Sequence, residues 1–401
     1  MPKTCVVLWF YLLLACFLEP FGAFGGKLAG VGASELGGIA SVAAIQQLPA
    51  GTKVDSVIYG NVLHTSGDAA FLARHVGHRA GLEIPVPALT INRLCGSGFQ
   101  SIINGAQEIQ LGEANVVLTG GTENMSQAPY ALRGARAGTR YGVDLVLEDT
   151  LARGLVDTYP NTVPMGITGE NLGKLYNISR QEVDEYALLS QQRFAAAQQA
   201  GRFDAEITPV EVKVRKGTET FSVDEHPRAK TTIESLAKLP SVFIKNTGLV
   251  TAGNASGICD GAASVVVAGE DVVKSQGLKP LARIVSWFYA GVDPNIMGIG
   301  PVPAIKGALK RAGLTLKDMS LVEVNEAFGV QYLAVEKELG LDRSITNTNG
   351  GAIAVGHPLG ASGARIMSHL TYELHRTQGR YAVGSACIGG GQGIAIVIER
   401  A

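Results

Sequence analysis

Two cysteines and a histidine, far apart in the chain and each set among small residues, are the right types for acyl transfer. Cys95 stands in Asn92-Arg93-Leu94-Cys95-Gly96-Ser97-Gly98, and Cys387 in Ser385-Ala386-Cys387-Ile388-Gly389-Gly390-Gly391. His357 lies between them in Gly356-His357-Pro358-Leu359-Gly360. A thiolate is a strong nucleophile, and an imidazole within reach can take its proton. Glycine lets backbone and substrate approach closely. Such a set supports attack on a carbonyl and storage of the acyl group as a thioester.

Taken singly, each residue has a duller alternative. Cys95 precedes an apolar, helix-like stretch. A thiol at a helix N-terminus feels the positive end of the dipole, which lowers its pKa, and N–H groups there can hold an oxyanion. A small core cysteine is the alternative. His357 is held by the proline after it and is a candidate general base toward Cys95. A turn histidine at the surface is equally open. Cys387 could shuttle a proton, with the Gly389 N–H joining the Cys95 N–H in an oxyanion hole. A dinucleotide loop is ruled out there, because the glycines lead into the apolar run Ile394 to Ile398 and not into a helix. Asn325-Glu326-Ala327-Phe328 follows the strand-like Leu321 to Val324, a usual place for function in α/β folds. Asn325 is a candidate to hold a water or a substrate carbonyl, and Glu326 to orient His357. Both are also ordinary turn residues.

The chain has 401 residues, enough for two or three domains, and is 46% hydrophobic and 17% charged, which suits a large core. A net charge of −1 gives no electrostatic reason to expect nucleic acid. A polyanionic ligand would need a local basic patch. Five cysteines without a CxxC pair argue against a disulfide framework or a structural zinc site and fit a reducing compartment. The apolar run from Cys5 to Leu18 is too short to span a bilayer comfortably. Its length matches the core of a secretory signal, but a buried strand with an unusual extension fits the cysteine usage better.

Strands alternate with helices along most of the chain, which implies an α/β architecture with helices on both faces of the strands. Val116 to Thr119, Val265 to Val267 and Ile394 to Ile398 are β-branched strand candidates. Val302 to Ala312 has helical spacing and stops at Gly313. A weak repeat runs through both ends. Cys95-Gly-Ser-Gly opens a helix-like stretch to Leu111, then a strand at Val116, then Gly120-Gly121. Gly360-Ala-Ser-Gly opens another to about His375, then Tyr381-Ala-Val, then the glycines near Cys387. Two duplicated halves about a pseudo-twofold axis would bring Cys95 to face His357 and Cys387. Between about Asn124 and Gly253 charges and prolines are more frequent, which marks an insertion. Within it Ser179 to Glu182 is a capping box for a helix with Val183, Tyr186, Ala187 and Phe194 on one stripe.

Together these segments resemble the thiolase family, from about Pro20 to the C-terminus. Asn-Arg-Leu-Cys95-Gly-Ser-Gly, Asn325-Glu-Ala-Phe, Gly-His357-Pro-Leu-Gly and Cys387-Ile-Gly389-Gly-Gly-Gln-Gly all occur in the family's order. Thr251 to Gly257 and Asp293 to Pro303 point to the branch that cleaves 3-ketoacyl-CoA in fatty-acid β-oxidation. The resemblance implies a thiolase-like α/β fold of two halves stacked as α-β-α-β-α. Residues 1–123, completed by 254–277, would form one half, 124–253 the inserted loop and CoA-binding domain, and 278–401 the other half. It implies Cys95 as nucleophile, His357 as base, Cys387 as the second acid–base, a water on Asn325, and the Cys95 and Gly389 N–H groups as the second oxyanion hole. Ser256 would meet the pantetheine arm, and Arg228 and Thr231 the nucleotide end of CoA, with Arg228 and Lys230 supplying local positive charge. No permanent cofactor or metal is implied; acyl-CoA and CoA are substrates. A homotetramer in the mitochondrial matrix is also implied, although the first residues lack an arginine-rich pattern and the C-terminus is no peroxisomal signal. Two departures stand out. Leu18-Glu19-Pro20-Phe21-Gly22 replaces the family's Arg-Thr-Pro-Phe-Gly, and Gly329-Val330 replaces Ala-Pro. Competing readings are an acyl-CoA hydrolase, a decarboxylating ketosynthase (which normally lacks a cysteine at 387) and a binding protein that keeps the fold without activity.

Overall fold

The structure, a computed structural model, describes residues 11–401. Its principal sheet has ten strands, here β1 to β10: Tyr11–Leu18, Gly22–Ala23, Ser56–Gly60, Ala88–Ile91, Val116–Asn124, Cys259–Gly269, Ala282–Gly291, Leu321–Val324, Tyr381–Ile388 and Gln392–Arg400. The spatial order is β8-β9-β10-β7-β1-β6-β5-β3-β4, with β2 on β6. The repeat read from the sequence is visible in the pairing. On one side β6–β5 is antiparallel and β5–β3 parallel; on the other β10–β9 is antiparallel and β9–β8 parallel. The equivalent strands β1 and β7 meet at the junction, where Tyr11, Leu12 and Leu13 pair with Ile284, Arg283 and Ala282.

The apolar N-terminal run therefore forms a strand over Tyr11–Leu18, paired on one edge to β6 along its length and on the other to β7. The rest of that run, Cys5 to Phe10, lies outside the described residues.

The helices that matter here are α1 Ala33–Gln46, α2 Leu72–Arg79, α3 Ser97–Leu111, α4 Met165–Leu175, α5 Arg180–Gln199, α6 Pro301–Ala312, α7 Gly329–Leu339, α8 Ala352–Val355 and α9 Ser362–Thr377. Period-two alternation sorts the strand residues between layers. Val265, Val267, Ile394, Ile396 and Ile398 point to one core with Ile102 and Ile103 of α3 and Ile366 and Leu370 of α9. Val266 and Leu118 face a second core with Val76 of α2 and Ala44 of α1. Ala395 and Val397 face a third with Ala304 and Ile305 of α6 and Leu333 of α7. The layers thus run α1/α2, first half-sheet, α3/α9, second half-sheet, α6/α7.

Glycine permits the central contact. A Cβ on Gly98 would overlap the Ala364 amide, and one on Gly121 would overlap the Gly360 carbonyl oxygen. The start of α3 therefore seats on the start of α9. α5 opens at the Ser179 capping box, with its Val183, Tyr186, Ala187 and Phe194 buried. α6 ends at Gly313, whose φ of 69° is left-handed.

Candidate active site

The nucleophile candidate stands on a constrained turn. Leu94 has φ +48°, which a leucine rarely adopts, and is held by its N–H donating to Asn92 Oδ1 at 2.9 Å. Asn92 Nδ2 in turn donates to the Val62 carbonyl at 3.1 Å. Cys95 follows, half-buried, two residues before α3 begins at Ser97. The expected low pKa is not found. Burial pushes the thiol up to about 11, against the pull of the Gly389 and Cys95 N–H groups on the sulfur, and Glu123 adds to the rise. Burial outweighs those two N–H groups, so the resting group is a thiol. The Gly389 N–H thus lies close enough to the Cys95 sulfur to act on it.

The turn Ile388-Gly389 packs against this one. A Cβ on Gly96 would overlap Ile388, and one on Gly389 would crowd Leu94 Cδ1 at 3.2 Å and Met165 Sδ at 3.3 Å. Cys387 is buried at the end of β9 among Met297, Ala327, Met165 and Phe328. Burial raises its pKa, and the nearby Cys95 adds to the shift. The two thiols therefore share one site.

His357 stands in the turn between α8 and α9. Its N–H donates to the Gly257 carbonyl at 3.0 Å. Its Nδ1 lies 2.6 Å from Ser362 Oγ, and that hydroxyl also lies 2.9 Å from the Pro358 carbonyl. A carbonyl only accepts, so the hydroxyl proton goes to Pro358 and Nδ1–H donates to Ser362. Nε2 is left unprotonated, its lone pair turned toward the Asn325 Nδ2 donor. Burial, then the charge of Arg365, lowers the pKa to about 3, so the imidazole rests neutral.

Asn325 faces it. Its N–H donates to Ser385 O at 2.9 Å, and its Nδ2 lies 3.3 Å from His357 Nε2. Asn325 Oδ1 is buried and accepts no hydrogen bond from the described residues, which leaves it free for an incoming donor. Glu326 does not orient His357. It accepts from Tyr186 OH at 2.6 Å, Ser190 Oγ at 2.7 Å, Asn347 Nδ2 at 3.1 Å and the Ile353 N–H at 3.0 Å. Adjacent residues after a strand point opposite ways, so Glu326 braces α5 while Asn325 faces the site. Ser362 is the orienting residue that sequence reasoning missed.

The CoA candidates divide. Ser256 lies beside the catalytic turns, with N–H and Oγ both on the Ala327 carbonyl at 3.0 and 3.1 Å. Arg228 and Thr231 form an outer turn, where the Arg228 N–H donates to Gln191 Oε1 and Thr231 Oγ1 to the Arg228 carbonyl. Neither touches the thiols. His226 on the same loop lies 2.9 Å from the Ala354 carbonyl of α8, which leads directly into Gly356-His357.

Comparison with known proteins decides the family. The thiolase N-terminal domain model matches residues 14–271 and the thiolase C-terminal domain model residues 278–400. The chain belongs to the thiolase family. It is 61% identical over 388 residues to the 3-ketoacyl-CoA thiolase, mitochondrial, of Homo sapiens, covering 96% of this chain and 97% of that one. It is 48% identical over 392 residues to the acetyl-CoA acetyltransferase of Pseudomonas aeruginosa, covering 97% and 99%. The crystal structure of human mitochondrial 3-ketoacyl-CoA thiolase superposes with a TM-score of 0.96 at 59% identity, covering 99% of this chain and all of that one. The human enzyme in complex with CoA gives 0.95 at 58% identity, covering 98% of this chain and 99% of that one. The stacked α/β halves are thus the thiolase fold.

Proposed function

We propose that this protein is an acyltransferase that cleaves 3-ketoacyl-CoA with CoA, as the β-oxidation thiolases do, and carries the acyl group on Cys95. The single observation that carries this reading is the convergence of the Gly389 and Cys95 N–H groups on a thiol that shares its site with a second buried thiol. His357 Nε2 takes the Cys95 proton as sulfur attacks the 3-keto carbon. The Cα–Cβ bond breaks, its electrons form the acetyl-CoA enolate, and Cys387 protonates that carbon. Asn325 holds the water that, with His357, steadies the enolate oxygen. CoA then enters, gives its thiol proton to Cys387 and displaces the acyl group from Cys95, whose departing thiolate takes back the proton held on His357. Both catalytic groups rest neutral, so the proton leaves the thiol as the C–S bond forms, and no standing thiolate is exposed to alkylation.

CoA itself is a substrate, and no resident cofactor enters these steps. Ser256 meets the pantetheine arm beside Ala327, and Arg228 and Thr231 meet the nucleotide end. The division into residues 1–123 with 254–277, 124–253 and 278–401 is part of the same reading. So is a mitochondrial matrix address, supported by relatives named mitochondrial. A homotetramer is part of the same reading; the segment 130–147 exposes Tyr130, Tyr141, Val146 and Leu147, which suits an interface with another chain.

The test is capture of the intermediate. Mass spectrometry after mixing with acetoacetyl-CoA should find an acetyl group on Cys95, and Cys95→Ser should lose thiolysis. Thiolysis by that variant at the parental rate would overturn the assignment.

A further inference from the structure

Glu123 ends the buried face of β5 and is itself fully buried. Its carboxylate accepts from the Val62 N–H at 3.1 Å, the Leu63 N–H at 3.0 Å, Asn61 Nδ2 at 3.1 Å and the Gly360 N–H at 2.9 Å. All four partners are amides, with no cation among them. Burial pushes the carboxyl up to about 7 against the amides of Leu63, Gly360 and Val62, and Asp260 on the neighbouring β6 adds to the rise. A buried charge on such terms is costly, so the position demands a reason.

Its partners supply one. Val62 leads to the nucleophile: the Val62 carbonyl holds Asn92, and Asn92 holds Leu94 in its left-handed conformation just before Cys95. Gly360 leads to the base: it closes the turn whose Pro358 carbonyl anchors Ser362, and Ser362 fixes the His357 ring. One carboxylate therefore ties together two catalytic turns from opposite halves of the chain. Glycines 60, 98 and 121 let the Gly360 carbonyl sit close enough for this.

We propose that Glu123 is a positioning residue for acyl transfer, a clamp that holds the Cys95 turn and the His357 turn in register. This rests on the thiolase reading above. The Val62 and Gly360 N–H groups both donate to Oε2, and Asn61 Nδ2 and the Leu63 N–H to Oε1, so a glutamine at 123 turns its NH2 toward two amide donors whichever way it sits and weakens the clamp. It also removes the negative charge beside Cys95.

The test uses Glu123→Gln, Glu123→Asp and Asn92→Ala in the full chain. It reads thiolysis of acetoacetyl-CoA and, separately, iodoacetamide alkylation of Cys95 against pH. In Glu123→Gln, kcat should fall about tenfold or more with KM for CoA within about twofold, and the alkylation midpoint should move to lower pH. Glu123→Asp keeps the charge and shortens the reach, so kcat falls while the midpoint stays. Asn92 is exposed, and its alanine variant cuts only the strap to Leu94; kcat falls there too, with the midpoint unchanged. Parental kcat in folded Glu123→Gln and Asn92→Ala would overturn the clamp. If Glu123→Gln does not fold, Asn92→Ala decides alone. Failure of the thiolase reading would show as no thiolysis by the parent, and the alkylation midpoints would then judge the Glu123 contact by themselves.

Discussion

The tautomer of His357 is set by one hydroxyl. With its own proton on the Pro358 carbonyl, the Ser362 oxygen accepts from Nδ1–H, and this leaves Nε2 unprotonated toward Asn325. Removing the hydroxyl frees the ring to rotate or to shift its proton. Ser362→Ala should therefore lower kcat about tenfold to hundredfold, with a smaller change in KM for CoA, as measured by steady-state thiolysis. Cys95, His357 and Cys387 stood out in the sequence as a set, since each taken singly had an ordinary reading as a core cysteine or a turn histidine. Ser362 did not, because it also reads as an ordinary helix-opening residue. Glu326 was misread for a related reason: proximity along the chain says nothing about which face of a turn a side chain takes. Glu123 carries no local signal at all, since its partners come from residues 61–63 and 360.

At the scale of elements, the α3–α9 contact is what joins the catalytic halves. It depends on missing side chains more than on present ones. Gly121 lies against the Gly360 carbonyl, and that backbone cannot withdraw without moving the His357 turn. Gly121→Ala should melt well below the parent, and the folded fraction should lose activity beyond its loss of stability. Thermal unfolding beside specific activity checks both. The alternation of Ile394, Ile396 and Ile398 with Ala395 and Val397 made β10 readable, since the two sets face different cores. Between Asn124 and Gly253 the helix opened by the Ser179 capping box was readable, and the rest only as a change of texture. Its hairpins are short, such as Tyr130–Leu132 with Leu147–Asp149, and three residues hold too little pattern to register.

Across the whole molecule, buried charge gathers where β1 meets the insertion. A cavity of about 20 Å³ is lined by Leu18, Phe21, Glu206, Asp224, Arg365 and His369, among others. Arg365 pairs with Glu323, and His369 with Glu206 at 2.8 Å. Burial opposes the His369 charge, yet Glu206 outweighs it and the pKa rises to about 9. Its stabilising charge is present below about pH 6.5 and is lost as pH climbs through 9. His369→Gln leaves Glu206 buried without its ion pair and should cost about 3 kcal/mol at pH 7 by denaturant unfolding. Asp224 behaves in the opposite sense. Burial pushes it up to about 7; the Phe21 N–H opposes, Glu206 adds, and Arg365 opposes. An unfolded aspartate titrates near pH 4. Between about pH 4 and 7 the unfolded chain releases a proton that the folded chain keeps, so stability falls across that window and stays low above it. Asp224→Asn keeps an acceptor for Phe21 and removes the penalty. It should melt higher than the parent at pH 8, on the order of 1–3 kcal/mol more stable, with the advantage gone at pH 4.

The place of β1 between β6 and β7 has a consequence for biogenesis. The strand leaves the ribosome early, but its partners, from Cys259 and from Ala282 onward, are about 240 residues behind it. At ordinary elongation speeds that is a delay of roughly 10–50 s. Throughout it, a greasy ribbon with both hydrogen-bonding edges open waits in a half-made chain. Yield in the cell should accordingly depend on holdase chaperones that shield nascent segments, far more than on the intrinsic speed of the final closure.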